Sequence, residues 1–282
     1  VMAPAPDADR IGLVIRDNNG EYVLINGNQI VMIFLNYLMT RNTELGTLTG
    51  NEYIVKTIVT TETIRTIAEA QHIKMYDCFT GFKWIANVMR ENEGKARYLG
   101  GGEESYGFLA EDFVRDKDSV SAISLMAEIA AWAKDKGLNM TDMLIDIYMK
   151  YGFSREKGIS LVRKGKSGAE EIIALMKQFR ENPPKEIAGS PVVTVKDFQS
   201  LVETNVATGE TKKLDMPATS NVLQYYTADR TKVSVRPSGT EPKIKFYIEV
   251  HDTLASADEY KATEARADEK INRIAKEFGI TK

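Results

Sequence analysis

Between residues 55 and 151 the sequence switches repeatedly between short β-branched runs and apolar residues at helical spacing. That alternation restricts the fold more than any other feature. Residues 55–60 read as a strand, and 62–71 as an amphipathic helix with Ile64, Ile67 and Ala68 on one face. Residues 78–88 continue the pattern, 121–136 form a strongly apolar helix, and 141–151 another that Gly152 ends. Such alternation predicts a layered α/β domain with a largely parallel sheet. Upstream, the apolar runs 11–15 and 22–25 flank Asp17-Asn18-Asn19-Gly20 and read as a β-hairpin. A helix over 29–39 follows, with Ile30, Ile33, Phe34 and Tyr37 at helical spacing, which places a domain boundary near residue 26.

The pattern lapses over 152–168, where Lys, Arg and Gly rise. Ser167 and Glu170 then have the spacing of a capping box, opening a helix with Ile172, Ile173, Leu175, Met176 and Phe179. Asn182-Pro183-Pro184 stops that helix, because proline lacks an amide donor and restricts the residue before it. Residues 192–195, 232–235 and 244–250 read as strands, and a closing helix is expected from Ser256, with Glu259 completing a second capping box. Strands between flanking helices predict a smaller α+β domain. The expected division is 1–26, 27–167 and 168–282.

At 282 residues and 43% hydrophobic content the chain can fill two cores. Thirty-seven Lys+Arg against 40 Asp+Glu leave a net charge of -3, without the basic excess of a nucleic-acid binder. A single cysteine, Cys78, fits a reducing, cytoplasmic setting, and no apolar run reaches the roughly 20 residues that span a bilayer. No signal segment opens the chain. His72 and His251 have no companions at metal spacing, and Ser160 stands where a P-loop ending at Gly165-Lys166-Ser167 needs glycine, so zinc and nucleotide sites are set aside.

Four segments could carry chemistry. Asp7-Ala8-Asp9-Arg10 offers two carboxylates two residues apart, a pattern that suits a hard cation or is simply a solvated acidic turn. In Gly100-Gly101-Gly102-Glu103-Glu104-Ser105-Tyr106-Gly107, glycines permit close approach to a ligand. Glu103 and Ser105 point the same way if the segment is extended, where a carboxylate and a hydroxyl pair with sugar hydroxyls; a flexible acidic turn fits the pattern as well. Arg236-Pro237-Ser238-Gly239-Thr240-Glu241-Pro242-Lys243 lies between two strands and gathers a guanidinium, two hydroxyls and glycine-freed amides, the donors that cradle a phosphate. Thr80-Gly81-Phe82-Lys83 adds an ammonium beside a strand end.

In this order, Asp7 to Gly12, Thr80 to Lys83, Gly102 to Gly107 and Arg236 to Pro242 resemble the α-D-phosphohexomutases of the phosphoglucomutase/phosphomannomutase type, over essentially the whole chain. The resemblance implies the end of that family's second domain over 1–26, its third α/β domain over 27–167, and its fourth, TBP-like domain with a mainly antiparallel sheet over 168–282. It implies interconversion of hexose 1-phosphate and hexose 6-phosphate through a bisphosphate. Asp7 and Asp9 would hold Mg²⁺, Arg10 would stabilise the moving phosphoryl group, and Lys83, Glu103 and Ser105 would bind the sugar. Arg236, Ser238, Gly239 and Thr240 would bind the phosphate that is not reacting.

Two departures stand out. Ala5 replaces the first aspartate of the family's Asp-x-Asp-x-Asp-Arg loop, which implies a crippled metal site, with Mg²⁺ weakly bound or absent. The Thr-Ala-Ser-His-Asn-Pro type of motif that carries the phosphoserine is missing. With no element expected ahead of Asp7, the chain reads as a C-terminal fragment that recognises substrate without turning it over. A stand-alone sugar-phosphate binding module, or a phosphopentomutase or phosphoglucosamine mutase fragment, are the alternatives.

Overall fold

The computed structural model describes residues 1–163, 165–239 and 241–281, the side chain of Lys166 apart. They fall into two compact units, Val1–Phe153 with Leu254–Ala257, and Ser154–Thr253 with the residues from Asp258 onward. The expected boundary at 167/168 lies further along the chain than this division.

The first unit opens with three antiparallel strands, β1 (Met2–Pro4), β2 (Ile11–Arg16) and β3 (Tyr22–Ile25). β1 corrects the expectation of no element before Asp7: it pairs with β2 from Met2↔Leu13 to Pro4↔Ile11. The hairpin from β2 to β3 forms as expected, with Leu13 facing Ile25. Its turn is closed by the Asp17 carboxylate, which accepts from the amides of Asn19 and Glu21, and by Gly20 at φ 87°.

Helix α1 (Gly27–Glu44) is longer than expected, because Asn26 and Gln29 cap it reciprocally. It is apolar on nearly every side, with Ile30, Val31, Ile33, Phe34 and Leu35 all buried. The alternation continues through β4 (Glu52–Thr57), α2 (Thr63–Ala70), β5 (Lys74–Cys78), α3 (Phe82–Asn92), β6 (Arg97–Gly102), β7 (Phe108–Ala110), α4 (Ser119–Asp135) and α5 (Met140–Tyr151). In sheet order β5-β4-β6-β7, β4 runs parallel to β5 and β6, while β7 returns antiparallel. β4 is buried along its whole length. One side of the sheet packs Tyr53 and Val55 against Phe82, Ile85 and Met89 of α3.

The second unit begins with a strand that the sequence reading lacked, β8 (Phe153–Val162), which joins the edge of a large sheet beside β15. α6 (Gly165–Glu181) starts ahead of Ser167, so that serine lies in the first turn and the expected capping box is corrected. β9 (Glu186–Ile187), β10 (Ser190–Asp197), β11 (Val202–Asn205), β12 (Thr211–Lys213), β13 (Leu223–Thr227), β14 (Lys232–Pro237) and β15 (Lys243–Asp252) follow. The order is β12-β11-β10-β13-β14-β15-β8 with β9 on β10, and the registered pairs are antiparallel.

A 3₁₀ turn at Ala257–Glu259 precedes α7 (Tyr260–Glu277), which has no side-chain cap, so the capping box expected at Ser256 is also corrected. α7 turns Tyr260, Ala267, Ile271 and Ile274 inward, and α6 adds Ile172 and Met176. The fold class is therefore a layered α/β domain followed by an α+β domain with a mainly antiparallel sheet. No helix among the described residues is long and apolar enough to cross a membrane.

Candidate functional site

In the first unit, segments far apart in sequence meet at one place. The loop before β2 is held by bonds from the Ala5 amide to the Arg10 carbonyl and from the Ala8 amide to the Ala5 carbonyl, both 2.8 Å, with Ala8 at φ 55°. It is stitched to the glutamate loop through an antiparallel bridge between Arg10 and Gly107, and to α4 through the Ser119 amide, which donates to the Ala8 carbonyl.

Residues 103–106 form a turn, with Tyr106 at φ 75°, and not an extended segment. Glu103 and Ser105 nevertheless come together: Ser105 Oγ donates to Glu103 Oε2 at 3.2 Å. Glu103 is buried, and its Oε1 accepts from the Gly81 amide at 2.9 Å, which joins the Thr80 to Lys83 segment to the cluster. Lys83 itself is exposed, its ammonium 5.4 Å from the centre of the Trp84 ring.

The expected role of Gly100, Gly101 and Gly102 in approaching a ligand is corrected. They are buried strand residues of β6, and a Cβ at Gly101 would stand 2.6 Å from the Val55 carbonyl oxygen, at Gly102 2.7 Å from Val31 Cγ2. They are glycine so that α1 and β4 can close on β6.

Lys117 was not anticipated. Its Nζ pairs with Asp9 Oδ2 at 2.9 Å, and its aliphatic chain passes beside Gly107, next to Glu103. Burial pulls its ammonium toward neutrality, but the bond to Asp9 and the charges of Asp116 and Asp9 outweigh that and raise its pKa. Burial would likewise lift the Asp9 carboxyl, yet Lys117 holds it below the ordinary value. The sequence around it, Glu111-Asp112-Phe113-Val114-Arg115-Asp116-Lys117-Asp118, mixes both charges and does not single Lys117 out.

The donor set expected to hold Mg²⁺ consists of two carboxylates. Asp7 is exposed, Asp9 has one oxygen on Lys117 and its other oxygen, Oδ1, buried without a hydrogen-bond partner, and residue 5 contributes no carboxylate. No cluster of three metal-binding side chains occurs among the described residues. Mg²⁺ asks for near-octahedral oxygen ligation, and an ammonium already neutralises the better-placed carboxylate.

In the second unit, β14 and β15 pair through Arg236↔Lys245 and Pro237↔Ile244, and the loop between them is closed by the Ser238 amide on the Lys243 carbonyl at 2.8 Å. Arg236 is half-buried and makes no ion pair among the described residues. Directly opposite stands Lys245, a second cation the sequence reading did not single out. The Lys243-Ile244-Lys245-Phe246 alternation was its signal: Ile244 and Phe246 enter the core, leaving both lysines on the other face. Lys243 is neutralised by Glu241, whose carboxyl it holds below the ordinary value. Ser238 Oγ accepts from the Glu241 amide at 3.3 Å, and Gly239 is exposed at the tip. Thr240, expected to bind phosphate, lies outside the described residues.

With this geometry in view, the comparisons with known proteins are decisive. Residues 26–151 match the phosphoglucomutase/phosphomannomutase alpha/beta/alpha domain III, and residues 180–267 match the C-terminal domain of the same family. The chain belongs to the phosphoglucomutase/phosphomannomutase family. Among curated members of this family, the phosphoglucomutase of Staphylococcus epidermidis is 36% identical over 243 residues, covering 86% of this chain and 43% of that protein. This family member thus spans less than half the length of the curated relatives it matches. Its fold is similar to that of the pp63/parafusin phosphoglucomutase of Paramecium (TM-score 0.59, 16% identity, 97% of this chain and 46% of that one). It is also similar to a phosphoglucomutase/phosphomannomutase family protein of Burkholderia thailandensis (TM-score 0.57, 18% identity, 99% and 46%).

Proposed function

We propose that the chain is the substrate-recognising part of a phosphoglucomutase or phosphomannomutase, an enzyme that interconverts hexose 1-phosphate and hexose 6-phosphate through a bisphosphate. The observation that carries this reading is the convergence of Asp9, Arg10, Gly81, Glu103, Ser105 and Lys117 in the first unit. A carboxylate pinned by a backbone amide, with a hydroxyl on its other oxygen, offers acceptor and donor together to neighbouring sugar hydroxyls. Arg236, Ser238, Gly239 and Thr240 supply donors for a phosphate that is not reacting, with Lys245 adding charge. Sugar hydroxyls and phosphate are the two chemistries a hexose phosphate presents.

Arg10 would stabilise charge on a phosphoryl group in transfer, and Lys83 would add a positive field near the sugar. A phosphoserine supplies the transferable group in this scheme, and the sequence holds no motif of that kind. The chain by itself is therefore expected to bind a hexose phosphate without turning it over. A cytoplasmic setting accords with a single, buried cysteine.

Calorimetric titration with glucose 1-phosphate at one fixed salt concentration tests the reading. Arg236→Ala should weaken binding about ten- to a hundred-fold, the worth of a lost charge-assisted contact. Arg236→Lys should restore little, because an ammonium lacks the planar fork. If both variants bind glucose 1-phosphate as tightly as the starting sequence, the phosphate assignment falls.

A further inference from the structure

We propose that Glu104 is a positioning residue, locked by the hydroxyls of Thr57 and Thr60 so that Glu103 and Ser105 on either side keep the orientation that meets a sugar. This deepens the reading above and rests on it for the identity of the ligand. The proposal starts from geometry. Thr57 and Thr60 are fully buried at the C-terminal end of β4, with their Oγ1 atoms 2.8 Å apart. Thr57 Oγ1 donates to Glu104 Oε2 at 3.2 Å, and Thr60 Oγ1 lies 3.5 Å from the same oxygen. Glu104 is the residue between Glu103 and Ser105, so fixing its side chain fixes the peptide planes that aim both neighbours.

The anchor is itself braced. Lys56, fully buried, reaches the carbonyl oxygens of Thr57 and Thr60 at 3.5 and 3.4 Å, and its charge is met by Glu62 at 3.0 Å and Asp77 at 2.9 Å. Arg65 binds both of those carboxylates. The first residue of α1 also presses on the Glu104 backbone, where a Cβ on Gly27 would stand 2.0 Å from the Glu104 carbonyl oxygen. The turn is thus clamped between β4 and α1 at its middle residue. Removing the carboxylate leaves Thr57 and Thr60 bonded to each other, so the sheet keeps its partners and the loss falls on the turn.

The test compares Glu104→Ala, Glu104→Gln and Glu103→Ala in the chain as it stands. Glucose 1-phosphate and inorganic phosphate are titrated in parallel, and hydrogen exchange is followed at the Gly81 amide, which Glu103 holds. Glu104→Ala should weaken glucose 1-phosphate about tenfold, the scale of one hydrogen bond to a charged group. Phosphate affinity should stay within about twofold, because its donors are in the other unit. Gly81 exchange should quicken about tenfold while the amides of α1 and β4 keep their rates. Glu104→Gln retains an acceptor oxygen and should recover most of both effects.

Unchanged affinity together with unchanged Gly81 exchange in Glu104→Ala overturns the proposal. So does faster exchange throughout α1 and β4, which would make Glu104 merely structural. If Glu103→Ala leaves glucose 1-phosphate binding intact, the sugar reading falls instead, and Gly81 exchange in Glu104→Ala alone decides the positioning role.

Discussion

Replacing Gly27 by alanine separates two effects that act in opposite directions. Alanine is the better helix former, by about 1 kcal/mol in a helix interior and less at the first helical residue, which Gly27 is. On propensity alone the substitution is neutral or mildly stabilising. The tertiary structure says otherwise. The new Cβ would lie 2.0 Å from the Glu104 carbonyl oxygen, 2.7 Å from its carbonyl carbon and 2.9 Å from the Tyr106 amide nitrogen. All three are backbone atoms, so no rotamer change relieves the overlap, and either α1 or the 103–107 turn must move.

Overpacking of this kind costs about 1–3 kcal/mol, and a backbone obstacle belongs toward the upper half of that range. A net loss of about 2 kcal/mol lowers the melting temperature of a unit this size by roughly 4–8 °C. Calorimetry, with Gly12→Ala as the control, measures it. A Cβ at Gly12 meets only the Ala3 carbonyl oxygen at 3.7 Å, an ordinary contact, and should change little. If Gly27→Ala melts within a degree of the starting sequence and the amide resonances of 103–107 do not shift, the inferred clamp on the turn is refuted.

Two further outcomes follow from particular groups. Asp229 is half-exposed, and burial would raise its carboxyl pKa, but Lys270 at 2.5 Å and the hydroxyls of Thr227 and Thr231 hold it well below the ordinary value. A depressed carboxylate stabilises above its unfolded pKa of about 3.9 and loses that contribution as pH falls through the folded value. Asp229→Asn should therefore be less stable than the starting sequence at pH 7, with the gap narrowing below about pH 4; urea unfolding at pH 7 and pH 3 checks this, and a constant gap would show that the charge is irrelevant. Mg²⁺ titrated calorimetrically should bind weakly or not at all at Asp7 and Asp9, for want of a third carboxylate and because Lys117 occupies Asp9; tight stoichiometric binding abolished by Asp9→Ala would contradict it.

Elements whose signal is local were legible in the chain. The hairpin over Ile11–Arg16 and Tyr22–Ile25, the helices α2 to α5 and the strands β14 and β15 declare themselves because burial of one face imposes a period on residues that are neighbours in sequence. The loops with Glu103 and Arg236 were legible for another reason: the chemistry of sugar hydroxyls and of phosphate calls for particular residue types within a few positions. β8 was not legible. It is an edge strand whose middle, from Arg155 to Gly158, is charged and no more than half-buried, so no apolar alternation marks it and only its neighbour β15 makes it a strand.

The inventory of elements and of reactive segments therefore lies in the chain's own order of residues, since both follow from short-range periodicity and composition. The tertiary structure decided which of those segments meet. It placed Lys117 on Asp9, gave the Gly81 amide to Glu103, set Lys245 opposite Arg236, and turned Gly100, Gly101 and Gly102 from a presumed ligand approach into the surface on which α1 and β4 pack. Each of these depends on strand register and on how closely a helix approaches a sheet. Those quantities come from packing the whole core at once, and no window of neighbouring residues contains them.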